Sequence, residues 1–201
     1  MEARKLLETL HVAERLKDVT RHCCTSGGRH ESVAEHCWRM ALMAYFVSDE
    51  FPDLDMGKVI KMCLIHDLGE AFTGDIPSFL KNGGDEQKEE ALLLRWTASL
   101  PEPFAGEMTA LYREMAARRT PEAKLYKALD NLEAVVQHNE SDISTWLPLE
   151  YSLNLTYGAD KAAFSAYLTP YDPYLTELRE QMRCDTLEKL DAAGIEIPRT
   201  E

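Results

Sequence analysis

Met62-Cys63-Leu64-Ile65-His66-Asp67-Leu68-Gly69-Glu70 decides how this chain is read, because an aspartate interrupts a run of residues that belong indoors. A carboxylate buried there without a partner would take up a proton rather than stay charged. A divalent cation is the simplest partner. The imidazole of His66 beside Asp67 makes a mixed nitrogen and oxygen donor set that suits a borderline metal. Two residues do not make a site, so other donors must converge on them.

Two further stretches offer such donors. His36 lies in Ser32-Val33-Ala34-Glu35-His36-Cys37-Trp38-Arg39-Met40, where Ser32 and Glu35 have the spacing of a capping box and mark a helix start. Val33, Cys37, Met40, Ala44 and Val47 then recur at helical spacing, and His36 shares their inward face. Asp130 follows a second helix start, Thr120-Pro121, whose apolar stripe is Leu125, Leu129, Leu132 and Val136. Taken alone, His36 reads as a hydrogen-bonded core histidine and Asp130 as half of a helix-edge salt bridge.

Together these residues read H…HD…D, with gaps of 30 (66 − 36) and 63 (130 − 67) residues. That set resembles the metal signature of the HD superfamily of metal-dependent phosphohydrolases. Glu31-Ser32-Val33-Ala34-Glu35-His36, His66-Asp67-Leu68-Gly69-Glu70 and Thr73-Gly74-Asp75-Ile76-Pro77 look like the small single-domain members that include the bacterial 5'-deoxynucleotidase, and the likeness runs from about residue 16 to 139. The resemblance implies one divalent metal (Mn, Co, Mg, Fe, Ni or Zn) held by His36, His66, Asp67 and Asp130, with Glu70 and Asp75 as catalytic acids. Spacing agrees for those two. On a continuous helix Glu70 would share a face with His66 and Asp67, and Gly74 permits the turn that brings Asp75 back.

Arg21 stands 15 residues before His36 (36 − 21), where the resemblance implies a phosphate-binding arginine. A guanidinium fork suits two phosphate oxygens. Next to it is His22, where the deoxynucleotidase pattern has a tryptophan lining the sugar, so the two residues form the expected substrate-binding pair with an altered sugar wall.

Composition narrows the alternatives. The 201 residues suffice for one domain with a sizeable core, read as an HD core over 16–139 and a helical extension over 140–201. A net charge of −13 disfavours nucleic-acid polymers but allows a small phosphorylated nucleotide beside a local metal. No apolar run approaches the length of a membrane span, and Met1-Glu2-Ala3-Arg4-Lys5 leads into an amphipathic helix rather than a secretory leader. Five cysteines lack C-x-x-C spacing, which points to free thiols in a reducing cytoplasm.

Breaks such as Phe51-Pro52, Pro101-Glu102-Pro103 and Arg119-Thr120-Pro121 separate helices expected at 2–18, 32–50, 56–71, 84–99, 103–118, 121–139, 142–154, 160–168 and 173–192. Ser26-Gly27-Gly28-Arg29-His30 reads as a flexible loop, and Asp85 to Glu90 as a solvated helix start. The expected fold is an all-α, irregular bundle around a core metal site, which leaves room for a homodimer. The expected activity is phosphomonoester hydrolysis of (deoxy)nucleoside 5'-monophosphates. Its rivals are HD hydrolysis of cyclic nucleotides or nucleoside triphosphates, and a nucleotide-binding module without catalysis.

Overall fold

The computed structural model describes residues 1–77, 79–156 and 173–196. The helix expected at 160–168 lies outside them. The rest is a helical bundle: α1 (Ala3–Glu14), α2 (Val33–Phe46), α3 (Met56–Ile65), α4 (Glu70–Thr73), α5 (Gly83–Thr97), α6 (Phe104–Ala117), α7 (Pro121–Glu140), α8 (Pro148–Thr156) and α9 (Pro173–Ala192). A hairpin of β1 (Thr20–Cys24) and β2 (His30–Ser32) joins the first helix to the second.

Local chemistry explains where the helices begin. Ser32 and Glu35 form both bonds of a capping box at the head of α2, and Thr120 accepts from the Ala123 amide with Pro121 at the first helical position of α7. Helix α2 stops at Phe46, four residues short of the expected end, because the Ser48 amide and hydroxyl both turn back to the Tyr45 carbonyl. The segment expected as one helix over 56–71 is broken. Helix α3 ends at Ile65, and the amides of Leu68, Glu70, Ala71 and Phe72 each reach three residues back, the tighter pitch of a 3-10 turn. His66 and Asp67 therefore sit at a helix terminus, and Glu70 opens a separate short helix.

The loop expected over 26–30 forms the turn of this hairpin apart from His30, which belongs to β2, and the two strands that flank it are additional to the expected elements. Thr20 pairs with Ser32 and Cys24 with His30, so β1 carries two extra residues, and Gly28 closes the turn at φ +82°. A strand this short and irregular shows no alternation in sequence. On α1 the apolar residues Leu6, Leu7 and Leu10 stay exposed, and only Leu16 beyond the helix is buried.

Helix α7 is the axis of the bundle, contacting α2, α3, α6, α9 and β1. Val33, Met40, Val59, Met62, Leu125, Leu129 and Leu132 fill the space where α2, α3 and α7 meet. Helix α9 is pinned across α7 and α8 through Asn139, whose amide donates to the Met182 carbonyl and whose oxygen accepts from Thr186 at 2.8 Å. Trp146 is buried and bonded to Ser141 at 2.9 Å. No described helix is long and apolar enough to cross a membrane.

Met40 is completely buried between the elements that carry the candidate site. Met40→Ala should lower unfolding free energy by about 2–5 kcal/mol, the usual range for emptying such a position. A urea melt with an unchanged slope and a lower midpoint would show it; a loss below about 1 kcal/mol would mean this layer is not packed as described.

Candidate metal centre and active site

Three helical segments bring nitrogen and oxygen donors to one point. The Nε2 of His36, on the first turn of α2, lies 3.2 Å from Asp130 Oδ1 on α7 and 3.8 Å from Asp67 Oδ2. The Nε2 of His66, just past α3, lies 3.0 Å from Asp67 Oδ2 and 3.7 Å from Asp130 Oδ1. Donor atoms of His36, His66 and Asp67 all fall within 4.8 Å of one another, and Asp130 completes the group through the two imidazoles. The four residues expected as ligands are thus gathered in one place.

Both rings are held from behind. His66 Nδ1 donates to the Cys63 carbonyl at 2.9 Å, and His36 Nδ1 bonds to Glu133 Oε2. This leaves each Nε2 facing the carboxylates, the arrangement in which histidines hold metals. His66 Nε2 is buried with no hydrogen-bond partner. Unprotonated nitrogens at these distances from carboxylate oxygens repel them unless positive charge enters. Burial works against a charged ring, yet Asp67 raises His66 well above its ordinary value, and Asp130 with Glu133 raises His36. Burial likewise opposes ionised carboxylates, but His66 holds Asp67 at about 2, and Lys127 with both imidazoles holds Asp130 well below the ordinary range. Two imidazole nitrogens and two carboxylates facing one point make a donor set and charge that fit a divalent metal.

Glu133 was missed in the sequence. It is completely buried one turn after Asp130, accepting from His36, from Arg21 Nη1 at 3.0 Å and from Arg39 Nε at 2.7 Å. Burial pushes its carboxyl up, but the His36 bond and the two arginines bring it to about 2. The available signal was spacing: a helix that turns Asp130 inward turns the residue three later inward too. Arg21 also reaches Glu31 Oε2, buried in β2, at 3.2 Å.

In front of the cluster lies a cavity of about 340 Å³. Arg21, His22, Asp67, Glu70, Asp75 and Asp130 line it, while His36 and His66 sit behind its wall. Glu70 is buried with Oε2 unpartnered, and burial together with the charges of Asp67, Asp75 and Glu89 pushes it up to about 10. Burial also raises Asp75, with Arg21 opposing. Glu89 is not simply solvated: it pairs with Lys81 at 2.8 Å and presses against Gly69, where an added Cβ would meet Glu89 Cγ at 2.8 Å. His22 Nε2 lies 3.3 Å from Glu150 Oε1, and its ring meets the Phe79 ring edge-on at 5.8 Å.

The family profile described as HD domain matches residues 13–169. The chain belongs to the HD-domain family. It is 33% identical over 142 residues to the human 5'-deoxynucleotidase HDDC2, covering 69% of each chain. To the HDDC2 of Dictyostelium discoideum it is 31% identical, covering 67% of this chain and 76% of that one. Its fold is similar to that of a predicted metal-dependent phosphohydrolase from Magnetospirillum magnetotacticum MS-1, with a TM-score of 0.76 at 24% identity over 96% of this chain and 95% of that one.

Glu133→Ala removes the shared partner of two largely buried arginines and should cost about 3 kcal/mol or more, because uncompensated charge is left behind. Chemical denaturation reads this directly. A loss near zero would show that the arginines find water instead.

Proposed function

We infer that the protein is a metal-dependent phosphohydrolase releasing phosphate from deoxynucleoside 5'-monophosphates. The observation that carries this reading is the convergence of His36, His66, Asp67 and Asp130 beside Arg21 in a cavity of about 340 Å³. That volume belongs to small-molecule sites rather than polymer grooves. The names of the human and Dictyostelium relatives supply the substrate class.

In this reading His36, His66, Asp67 and Asp130 hold a divalent ion, which supplies a Lewis acid at the phosphoryl group and acidifies water. Glu133 and the Cys63 carbonyl keep the two imidazoles aimed at it. The Arg21 guanidinium is pre-oriented by Glu31 and Glu133, and its cavity face meets the phosphate oxygens. Glu70 and Asp75 lie in the same wall, and burial raises both above the ordinary carboxylate range, with Asp67 adding to each, so they keep a proton more readily than solvated acids do. They divide the transfers between the attacking water and the leaving nucleoside oxygen. His22 sits beside Arg21 where the sugar follows the phosphate, and there it replaces a flat apolar wall with a polar ring.

Phosphate release from a panel of deoxy- and ribonucleoside monophosphates, cyclic nucleotides and triphosphates, each with Mn, Co, Mg and Zn, tests the reaction. Release from the deoxynucleoside monophosphates is expected, and none from any of them would refute it. Glu70→Ala and Asp75→Ala should each remain folded and lose about 100-fold or more in turnover. Arg21→Lys keeps a charge near Glu133 but loses the fork, so KM should rise more than turnover falls. An unchanged KM would remove Arg21 from substrate binding.

A further inference from the structure

The cavity in front of the candidate metal centre runs along α7. Asp130, Ala134 and His138 line it four residues apart on one face of that helix. Its floor therefore extends about 12 Å from the metal end, at a helical rise of about 1.5 Å per residue. That is the reach of an extended nucleoside monophosphate from its phosphorus to the far edge of its base. Helix α8 closes the far end, where Glu150, Leu153 and Asn154 share a face toward the cavity. None of these three belongs to the metal centre or to the chemistry assigned to Glu70 and Asp75.

The polar groups at this end are used unequally. Glu150 is buried and both its oxygens are engaged: Oε2 accepts from the Leu147 amide at 2.7 Å, while Oε1 lies 3.0 Å from His138 Nε2 and 3.3 Å from His22 Nε2. Burial opposes its ionisation, but His138 and the Leu147 amide hold its carboxyl below the ordinary range, so Glu150 brings no proton of its own. Asn154, one turn later, is the opposite case. It is 7% exposed, and its Nδ2 is buried with no hydrogen-bond partner among the described residues. Native proteins keep few such donors, because a buried amide left unpaired forfeits the bonds it makes to water. The far end of the cavity thus has its carboxylate filled and an amide donor free, which suits a ligand that brings an acceptor there.

We propose that Asn154 is a specificity-determining residue whose side-chain amide donates to an oxo group on the base edge farthest from the sugar. This rests on the deoxynucleoside monophosphate reading above, but its test separates the two. With the phosphate at Arg21 and the sugar at His22, the base is the part of the substrate that reaches α8. Uracil, thymine and guanine carry an oxo oxygen on that edge. Cytosine and adenine carry an amino group there, whose hydrogens would face the Asn154 donor. The site therefore favours oxo bases over amino bases, while Leu153 on the same face of α8 offers the ring an apolar neighbour.

Deoxyuridine and deoxycytidine 5'-monophosphates are the cleanest probes, since they are alike in size and differ only on that edge. Their kcat/KM values are measured with the manganese-loaded enzyme in wild type, in Asn154→Leu, which keeps the branched shape without the donor, and in Asn154→Ala. Wild type should favour the uracil nucleotide by about tenfold, the scale of one hydrogen bond between neutral groups, and both variants should bring the ratio close to one. The ratio is read within each variant, so a loss of folded protein or a contact to the sugar lowers both values and cancels. Equal kcat/KM for the two nucleotides in wild type would overturn the proposal, and so would a preference that survives in both variants. If wild type hydrolyses neither nucleotide, the reaction is wrong. Calorimetric titration of the two nucleotides onto wild type and Asn154→Leu then decides the proposal by the ratio of their affinities, and binding of neither would overturn it.

Discussion

Glu133 carries a full negative charge at a position with no solvent exposure, and the centre of the molecule is arranged so that this charge is never alone. Three partners from two segments meet it: His36 on α2, Arg39 a turn later on α2, and Arg21 on the hairpin. A buried carboxylate satisfied on that scale locks the relative position of the elements that supply its partners. The hairpin, the first turn of α2 and the middle of α7 therefore cannot slide past one another without stranding a charge. The candidate metal centre inherits its geometry from that lock, because His36 presents its other nitrogen to Asp130 and Asp67 only while Glu133 holds it from behind.

The same interaction links the metal centre to the substrate end of the cavity. Arg21 is fastened to Glu133 and Glu31, so the group assigned to phosphate shares an anchor with the imidazole assigned to metal. A fork held by two carboxylates loses little freedom when a ligand arrives. Asp67 does comparable work on the other side. It faces both imidazoles and also crowds Glu70, so whatever neutralises the cluster also changes how tightly Glu70 holds its proton. The groups proposed for phosphate binding and for proton transfer thus belong to one electrostatic unit built on a strongly acidic chain.

Much of this was legible in the sequence because the relevant constraints are local. The capping box at Ser32 and the Thr120-Pro121 start fix where α2 and α7 begin, and helical periodicity then places His36 and Asp130 inward without tertiary knowledge. What was not legible depends on long-range contacts. The break after Ile65 leaves no mark in an apolar run that suits a helix throughout, and the irregular register of the hairpin hides any alternation. Glu133 reads as an ordinary charged helix residue until Arg21 and Arg39, 112 and 94 positions away, are seen against it. In the sequence Glu89 reads as part of a solvated charge run, because its partner Lys81 lies across the turn before α5.

Whether His36, His66, Asp67 and Asp130 hold a metal together is tested most directly by titrating chelator-treated protein with Co(II) and following its visible absorption. Cobalt reports the donor set through its own spectrum, independently of any substrate or assay for turnover. Wild type should bind the ion tightly and develop an absorption band that saturates, while His36→Ala, confirmed as folded, should bind far more weakly and lose that band. Tight binding with an unchanged spectrum in His36→Ala, or no binding by wild type, would contradict the four-residue centre on which every other assignment stands.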